Sequence, residues 1–178
     1  MTTELAITAV GGDRPGVVAA LTGALADLDC NLEDTSMTIL RGRFAMVLIV
    51  AAPDGIGPSE AQRALAGPAA ELGLDVTVRP SSARADEVEG AAWSLSVYGA
   101  DRPGIVHRIA RALAEAGVNI VDLTTRVIGD PSRPVYAMLL EVVVPPTVAV
   151  DDLRARLGRE ADALGVEWSM HASDADVL

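Results

Sequence analysis

The feature that most constrains this chain is an internal repeat at an offset of 88 residues. Gly11 aligns with Gly99, Asp13-Arg14-Pro15-Gly16 with Asp101-Arg102-Pro103-Gly104, and Val18 with Val106. Ala24-Leu25-Ala26 aligns with Ala112-Leu113-Ala114, Asn31 with Asn119, and Asp34 with Asp122, giving 11 identities over residues 11–34 without a gap. Beyond an insertion of four residues, Phe44-Ala45-Met46 answers Tyr136-Ala137-Met138; the Gly129–Pro134 turn cluster is where the extra length is expected. Two copies of ~80 residues are too few and too long for a solenoid, whose units run ~20–50 residues. The chain therefore reads as two duplicated domains, 1–80 and 91–178. They are joined by a linker, 81–90, within the Ser-, Ala- and acid-rich stretch Pro80–Gly90.

Each copy reads as strand–helix–strand–strand–helix–strand. Leu5–Val10 and Trp93–Tyr98 are strand-length apolar runs ended by glycine. Pro15–Leu28 carries apolar residues at 17, 21, 25 and 28, and Ile105, Ile109, Leu113 and Ala116 repeat that helical spacing. Proline suits a helix start, where early N–H groups have no partner to lose, and Asp13 and Asp101 are candidate N-caps. Asn31–Leu40 and Arg43–Ala51 predict a hairpin about Arg41-Gly42. Second helices are expected over Ser59–Leu72, broken or kinked at Gly67-Pro68, and over Val150–Leu164, with Leu153, Leu157 and Leu164 on one stripe. Final strands are expected at Leu74–Arg79 and Val166–His171. The βαββαβ order predicts an α+β, ferredoxin-like fold: antiparallel sheets with helices on one face. Met37, Met46, Met138 and Met170 are read as core packing.

Composition narrows the function classes. No lysine is present, which removes a Schiff-base amine and a Walker-type phosphate loop. Net charge is −11, and neither half is basic, so direct nucleic-acid binding is disfavoured. Cys30 is the single cysteine, which suits a reducing, cytoplasmic location, and Met1–Val10 does not read as a secretory signal. No apolar run approaches the ~20 residues of a membrane span. His107 and His171 lie far apart, with Ala19 at the repeat position of His107, and read as exposed; no Cys/His spacing points to a metal. No nucleophile elbow or cofactor fingerprint appears. Asp151, Asp152, Glu160 and Asp162 read as a solvated helix face.

The turn between strand 1 and helix 1 is the most informative spot. A helix start favours a carboxylate through its unpaired N–H groups and dipole. The beginning of strand 2, with Asn31 or Asn119, is expected nearby. An amide can donate and accept, and Asp34 or Asp122 three residues on would attract an ammonium. Together these parts suit a zwitterionic amino acid. A structural reading stands beside it: Asp-Arg-Pro-Gly as a cap and turn, and Asn closing the helix in the left-handed conformation.

Asp-Arg-Pro-Gly-(Val/Ile)-Val, a helix, then Asn-(Leu/Ile)-x-x-Asp resembles the ACT domain, twice, over about residues 3–80 and 91–172. The tandem, free-standing arrangement is similar to the glycine cleavage system transcriptional repressor group. The resemblance implies an amino-acid-binding regulatory module, with ligand between the first turn of one module and the strand-2 start of another. It implicates Gly12, Asp13, Arg14, Pro15, Gly16, Asn31 and Leu32, and in the second copy Ala100, Asp101, Arg102, Pro103, Gly104, Asn119 and Ile120. Ala100 in place of Gly12, and the Gly67-Pro68 interruption, imply unequal roles for the copies. The expectation is a non-enzymatic sensor of a small amino acid, without cofactor, acting through a partner protein. Exposed sheet edges further suggest a homodimer. A ligand-independent dimerisation scaffold and a small-molecule enzyme are the alternatives.

Overall fold

The computed structural model describes residues 2–81, 89–130 and 134–173. The chain divides into two compact units, Met1–Ala85 and Asp86–Leu178. The first contains β1 (Thr3–Gly12), α1 (Val17–Ala26), β2 (Asn31–Leu40), β3 (Arg43–Ala52), α2 (Pro58–Leu72) and β4 (Leu74–Pro80). The second contains β5 (Ala91–Gly99), α3 (Ile105–Glu115), β6 (Asn119–Ile128), β7 (Val135–Val144), α4 (Val150–Leu164) and β8 (Glu167–Ala172). Each unit is βαββαβ. The sheets have strand orders β2-β3-β1-β4 and β6-β7-β5-β8, antiparallel throughout. The expected linker falls largely on residues 82–88, and the expected insertion partly on 131–133; both lie outside the described residues.

Alternation in the strands explains the layering. In β3, Phe44, Met46, Leu48, Val50 and Ala52 are buried while their neighbours are not. Across the ladder they meet Leu5, Ile7 and Ala9 of β1, and the stripe Val17, Leu21 and Leu25 of α1 closes over them with Ala61, Leu65 and Ala69 of α2. The second unit repeats this with Leu95, Val97, Met138, Leu140 and Val142 under Ile105, Ile109, Leu113, Leu153, Leu157 and Leu164. Period-two burial beneath period-3.6 stripes leaves one sheet face covered by helices and one open. Among the described residues no polar or charged residue is buried. Met46, Met138 and Met170 belong to these cores, but Met37 does not: it lies on the edge strand β2 and is 46% exposed.

Several local expectations are corrected. The N-caps are Gly16 and Gly104, both left-handed (φ 92° and 95°), not Asp13 and Asp101; no side chain caps either helix. Pro15 and Pro103 precede these caps and sit in the turn. Asn31 and Asn119 open β2 and β6, and the left-handed residues after α1 and α3 are Asp29 (φ 54°) and Gly117 (φ 75°). Pro68 does not break α2, which runs on to Leu72 and closes on left-handed Gly73. Arg41 and Gly42 both take positive φ, as a two-residue hairpin of the primed type requires. Glu160 is not on a solvated face: its carboxylate pairs with Arg108 at 2.7 Å, tying α4 to α3. Arg156 adds a second tie to Glu115 at 2.8 Å.

Candidate functional site

The two repeated motifs sit in the turns β1–α1 and β5–α3. Gly11 and Gly99 have a packing reason for being glycine. A Cβ on Gly11 would lie 2.6 Å from Leu74 and 2.8 Å from the Gly73 carbonyl, and one on Gly99 would lie 2.8 Å from Val166. Both strands pass too close to the start of the last strand to carry a side chain. Gly12 is different: a Cβ there would meet nothing within 4 Å, and its φ is not positive. Ala100 therefore fits the same backbone, and its substitution for Gly12 does not restrict the second turn.

Asp13, Arg14, Pro15 and Gly16 are exposed, as are Asp101, Arg102, Pro103 and Gly104. The Asp13 N–H is not free, since it donates to the Gly42 carbonyl at 3.0 Å. The first intrahelical bond of α1 runs from Ala20 N–H to Gly16. Among the described residues, the N–H groups of Val17, Val18 and Ala19 have no backbone acceptor. These three residues, with Asp13, Arg14 and Gly16, border a cleft of about 430 Å³ whose other wall is Met37 and Phe44. The arrangement offers unpaired donors and the positive end of a helix dipole on one side, and apolar surface on the other.

The strand-2 residues are not brought to this turn within a unit. Asn31 is opposite Ala51 of β3, which is opposite Glu4 at the beginning of β1. Gly12, at the other end of β1, is opposite Arg43. The two levels are eight positions apart along β3, about 26 Å at ~3.3 Å per residue. Helix α1 carries the chain back across the sheet, so β2 starts where β1 starts. Asn119 is placed likewise, opposite Val143. Leu32 is 37% exposed, and Ile120 packs against the core. Asp34 accepts the Thr35 N–H at 2.7 Å. Asp122 lies opposite Glu141.

The residues beside the first turn are Met37 and Phe44, which lie outside the set the motif implicates. The signal was available: a two-residue hairpin at 41–42 sets residue 44 against 39, one step from Met37 on the same face. The repeat positions in the second unit are Thr125 and Tyr136. Burial raises the Tyr136 phenol pKa, the Thr125 hydrogen bond works against it, and Asp101 adds to the rise. Arg102 also differs from Arg14, turning back to the last carbonyl of α4, Leu164, at 3.5 Å. The first turn thus has an apolar wall and the second a hydroxylated one. His107 and His171 are exposed. Among the described residues there is no group of three or more potential metal ligands, and no helix is long and apolar enough to cross a membrane.

A βαββαβ unit repeated twice, with the same glycine-marked turn in each copy, defines a tandem ferredoxin-like protein. Models of the ACT domain match residues 3–79 and 93–157, and the chain belongs to the ACT domain family. It is similar to the glycine cleavage system transcriptional repressor of Escherichia coli, 30% identical over 94% of this chain and 82% of that protein. A UPF0237 protein of Methanopyrus kandleri is 38% identical over 43% of this chain and 87% of its own length. Among solved structures, an unknown protein from Galdieria sulphuraria superposes with a TM-score of 0.83 at 26% identity, covering 98% of this chain and 100% of that one. ACT domain membership and the likeness to a repressor support a regulatory, amino-acid-sensing role.

Proposed function

We propose that this chain is a non-enzymatic, cytoplasmic sensor of a small amino acid that acts through a partner protein. The single observation that carries the reading is the first cleft, bordered by Val17, Val18 and Ala19, whose N–H groups have no backbone acceptor, and by Met37 and Phe44. The ligand carboxylate takes the helix start, and its side chain lies on the apolar wall. Gly12, Asp13, Arg14, Pro15 and Gly16 frame this end, as Ala100, Asp101, Arg102, Pro103 and Gly104 frame the second. The ammonium falls to an acid and an amide on a strand-2 start: Asn31, Leu32 and Asp34, or Asn119, Ile120 and Asp122. Those groups stand at the far end of their own sheet, so the complete site takes them from another module, and two copies of the chain form the working unit. Ligand would favour one arrangement of modules, which a partner protein reads; differential affinity for two arrangements is all this needs. A net charge of −11 argues that transcription, if controlled, is controlled without direct DNA contact.

Isothermal titration against the twenty amino acids tests the reading. A small apolar amino acid is expected to bind, and Met37→Arg, which fills the cleft, to abolish the heat. Silence of the whole panel at ~10 mM, a concentration at which even weak sites fill, would defeat it.

A further inference from the structure

We propose that the second unit carries a binding site for a neutral, largely apolar small molecule with one carbonyl-type acceptor, in a cleft walled by Trp93 and the β7–α4 turn. The site uses neither of the repeated turns and does not rest on the amino-acid reading above.

The cleft measures about 490 Å³ and is bordered by Trp93, Pro145, Pro146, Val148 and Val150. Sites for small molecules fall between ~300 and ~1,000 Å³. It lies at the end of the sheet away from the β5–α3 turn: Ala91 is opposite Val144 here, whereas Gly99 is opposite Tyr136 at the turn. Those levels are eight positions apart along β5, about 26 Å at ~3.3 Å per residue. Backbone contacts fix its shape. A Cβ on Gly90 would strike the Val144 carbonyl, and the Val148 N–H donates to the Pro145 carbonyl at 3.0 Å. The first unit makes the same turn, from the Ile56 N–H to the Pro53 carbonyl, but fully buried Leu5 stands at the repeat position of half-buried Trp93.

Polarity and charge select the ligand. The indole Nε1–H of Trp93 is buried, and among the described residues it has no hydrogen-bond partner. A buried donor without an acceptor is rare and costly, and a ligand oxygen held against the ring relieves it. An anion could accept that bond, but Glu89 is in the border of the cleft, and exposed Asp151 and Asp152 follow Val150 in the first turn of α4. Their charges repel it. An ammonium has no lone pair to offer the N–H. Nor is the ring free to receive a cation on the face that Arg154 covers: the guanidinium lies 5.5 Å from the ring centroid and is fixed by donating to the Met170 carbonyl at 2.7 Å. A neutral molecule meets all three conditions when its body is apolar, to match the prolines and valines, and it carries a ketone-, lactone- or amide-type oxygen.

The indole itself reports the test. Trp93 and Trp168 are the two tryptophans, so nitrogen–proton correlation spectra of the full chain carry two indole signals, and Trp168→Phe identifies each. Three probes with one ring separate the chemistries: cyclohexanone, cyclohexanecarboxylate and cyclohexylammonium. Titrated to ~50 mM, a range in which weak fragment binding saturates, cyclohexanone is expected to move the Trp93 signal downfield along a saturating curve and to leave that of Trp168 in place. Each ion is expected to bind about tenfold more weakly or worse. Val148→Phe, or Pro146→Phe from an exposed position, adds bulk to the cleft and should remove the shift, with melting curves confirming the fold. A drift without saturation, equal movement of both indole signals, an ion that binds as well as the ketone, or a shift that survives in a folded blocking variant would each overturn the proposal. Loss of amino-acid binding elsewhere in the chain would leave these signals untouched and count against the sensor reading alone.

Discussion

Of three neighbouring glycines in one turn, one is required by torsion, one by contact and one by neither, and alanine substitution separates them. At Gly16 the backbone is left-handed with open space where a side chain would go, so Gly16→Ala costs backbone strain alone, about 1 kcal/mol. At Gly11 the backbone is ordinary but the added carbon would strike the Gly73 carbonyl at 2.8 Å, so Gly11→Ala costs about 1–3 kcal/mol of overpacking. At Gly12 neither applies, and the second unit already carries Ala100 there; Gly12→Ala is expected to be neutral within about 0.5 kcal/mol. Urea denaturation of the three variants checks the ranking. A cost at Gly12 equal to that at Gly16 would show that the turn is not shaped as described. Spacing alone could not distinguish these roles, because a repeated glycine looks the same whether torsion or contact demands it. For the same reason spacing makes the aspartate of the motif a candidate cap: Asp13 precedes a helix, but Pro15 and Gly16 form the bend before the helix begins.

At the scale of elements, most of the fold was legible because the two periods rarely conflict. The stripe at 17, 21 and 25 and the alternation over Phe44–Ala52 each specify one face, and Arg41-Gly42 fixes the register between β2 and β3. Edge strand β2 was harder to read: all ten residues are exposed, so Met37 looked like a core residue when it is a cleft wall. The level of Asn31 relative to the turn was also derivable, since α1 must return the chain before β2 starts, but sequence proximity suggested the opposite. Helix α2 tolerated its proline because local propensity is a weak prior against the packing of Ala61, Leu65 and Ala69. Its start is secured by Glu60, whose carboxylate accepts the Gly57 N–H at 3.1 Å. Backbone hydrogen bonds at Glu60 and Gly57, then Arg63, hold its pKa below the ordinary 4.5. A depressed acid contributes stability that is present above its unfolded pKa and is lost as pH falls through the folded one. Glu60→Gln should therefore lower the melting temperature at neutral pH and converge with wild type in acid. A gap that persists in acid would assign the effect to something other than the carboxylate's charge.

At the scale of the whole molecule, duplication has produced two units with one topology and different surfaces. The second ties its helices with Arg108–Glu160 and Arg156–Glu115, where the first has Ala20, Pro68, Ala64 and Asp27 at the repeat positions. Its turn has Thr125 and Tyr136 where the first has Met37 and Phe44, and Arg102 is spent on the end of α4. The two turns therefore differ in their lining, apolar in the first cleft and hydroxylated in the second. Ligand binding stabilises most the unit that holds the cleft, by up to RT ln(1 + [L]/Kd), about 2.7 kcal/mol at 100 times Kd. Scanning calorimetry at that ligand excess should raise the melting of the first unit more than that of the second. Met37→Arg should erase the shift, while Thr125→Ala should leave it intact. Equal displacement of both units, or a shift that follows Thr125 in preference to Met37, would mean that the hydroxylated turn is the receptor and that the apolar wall of the first cleft serves another purpose.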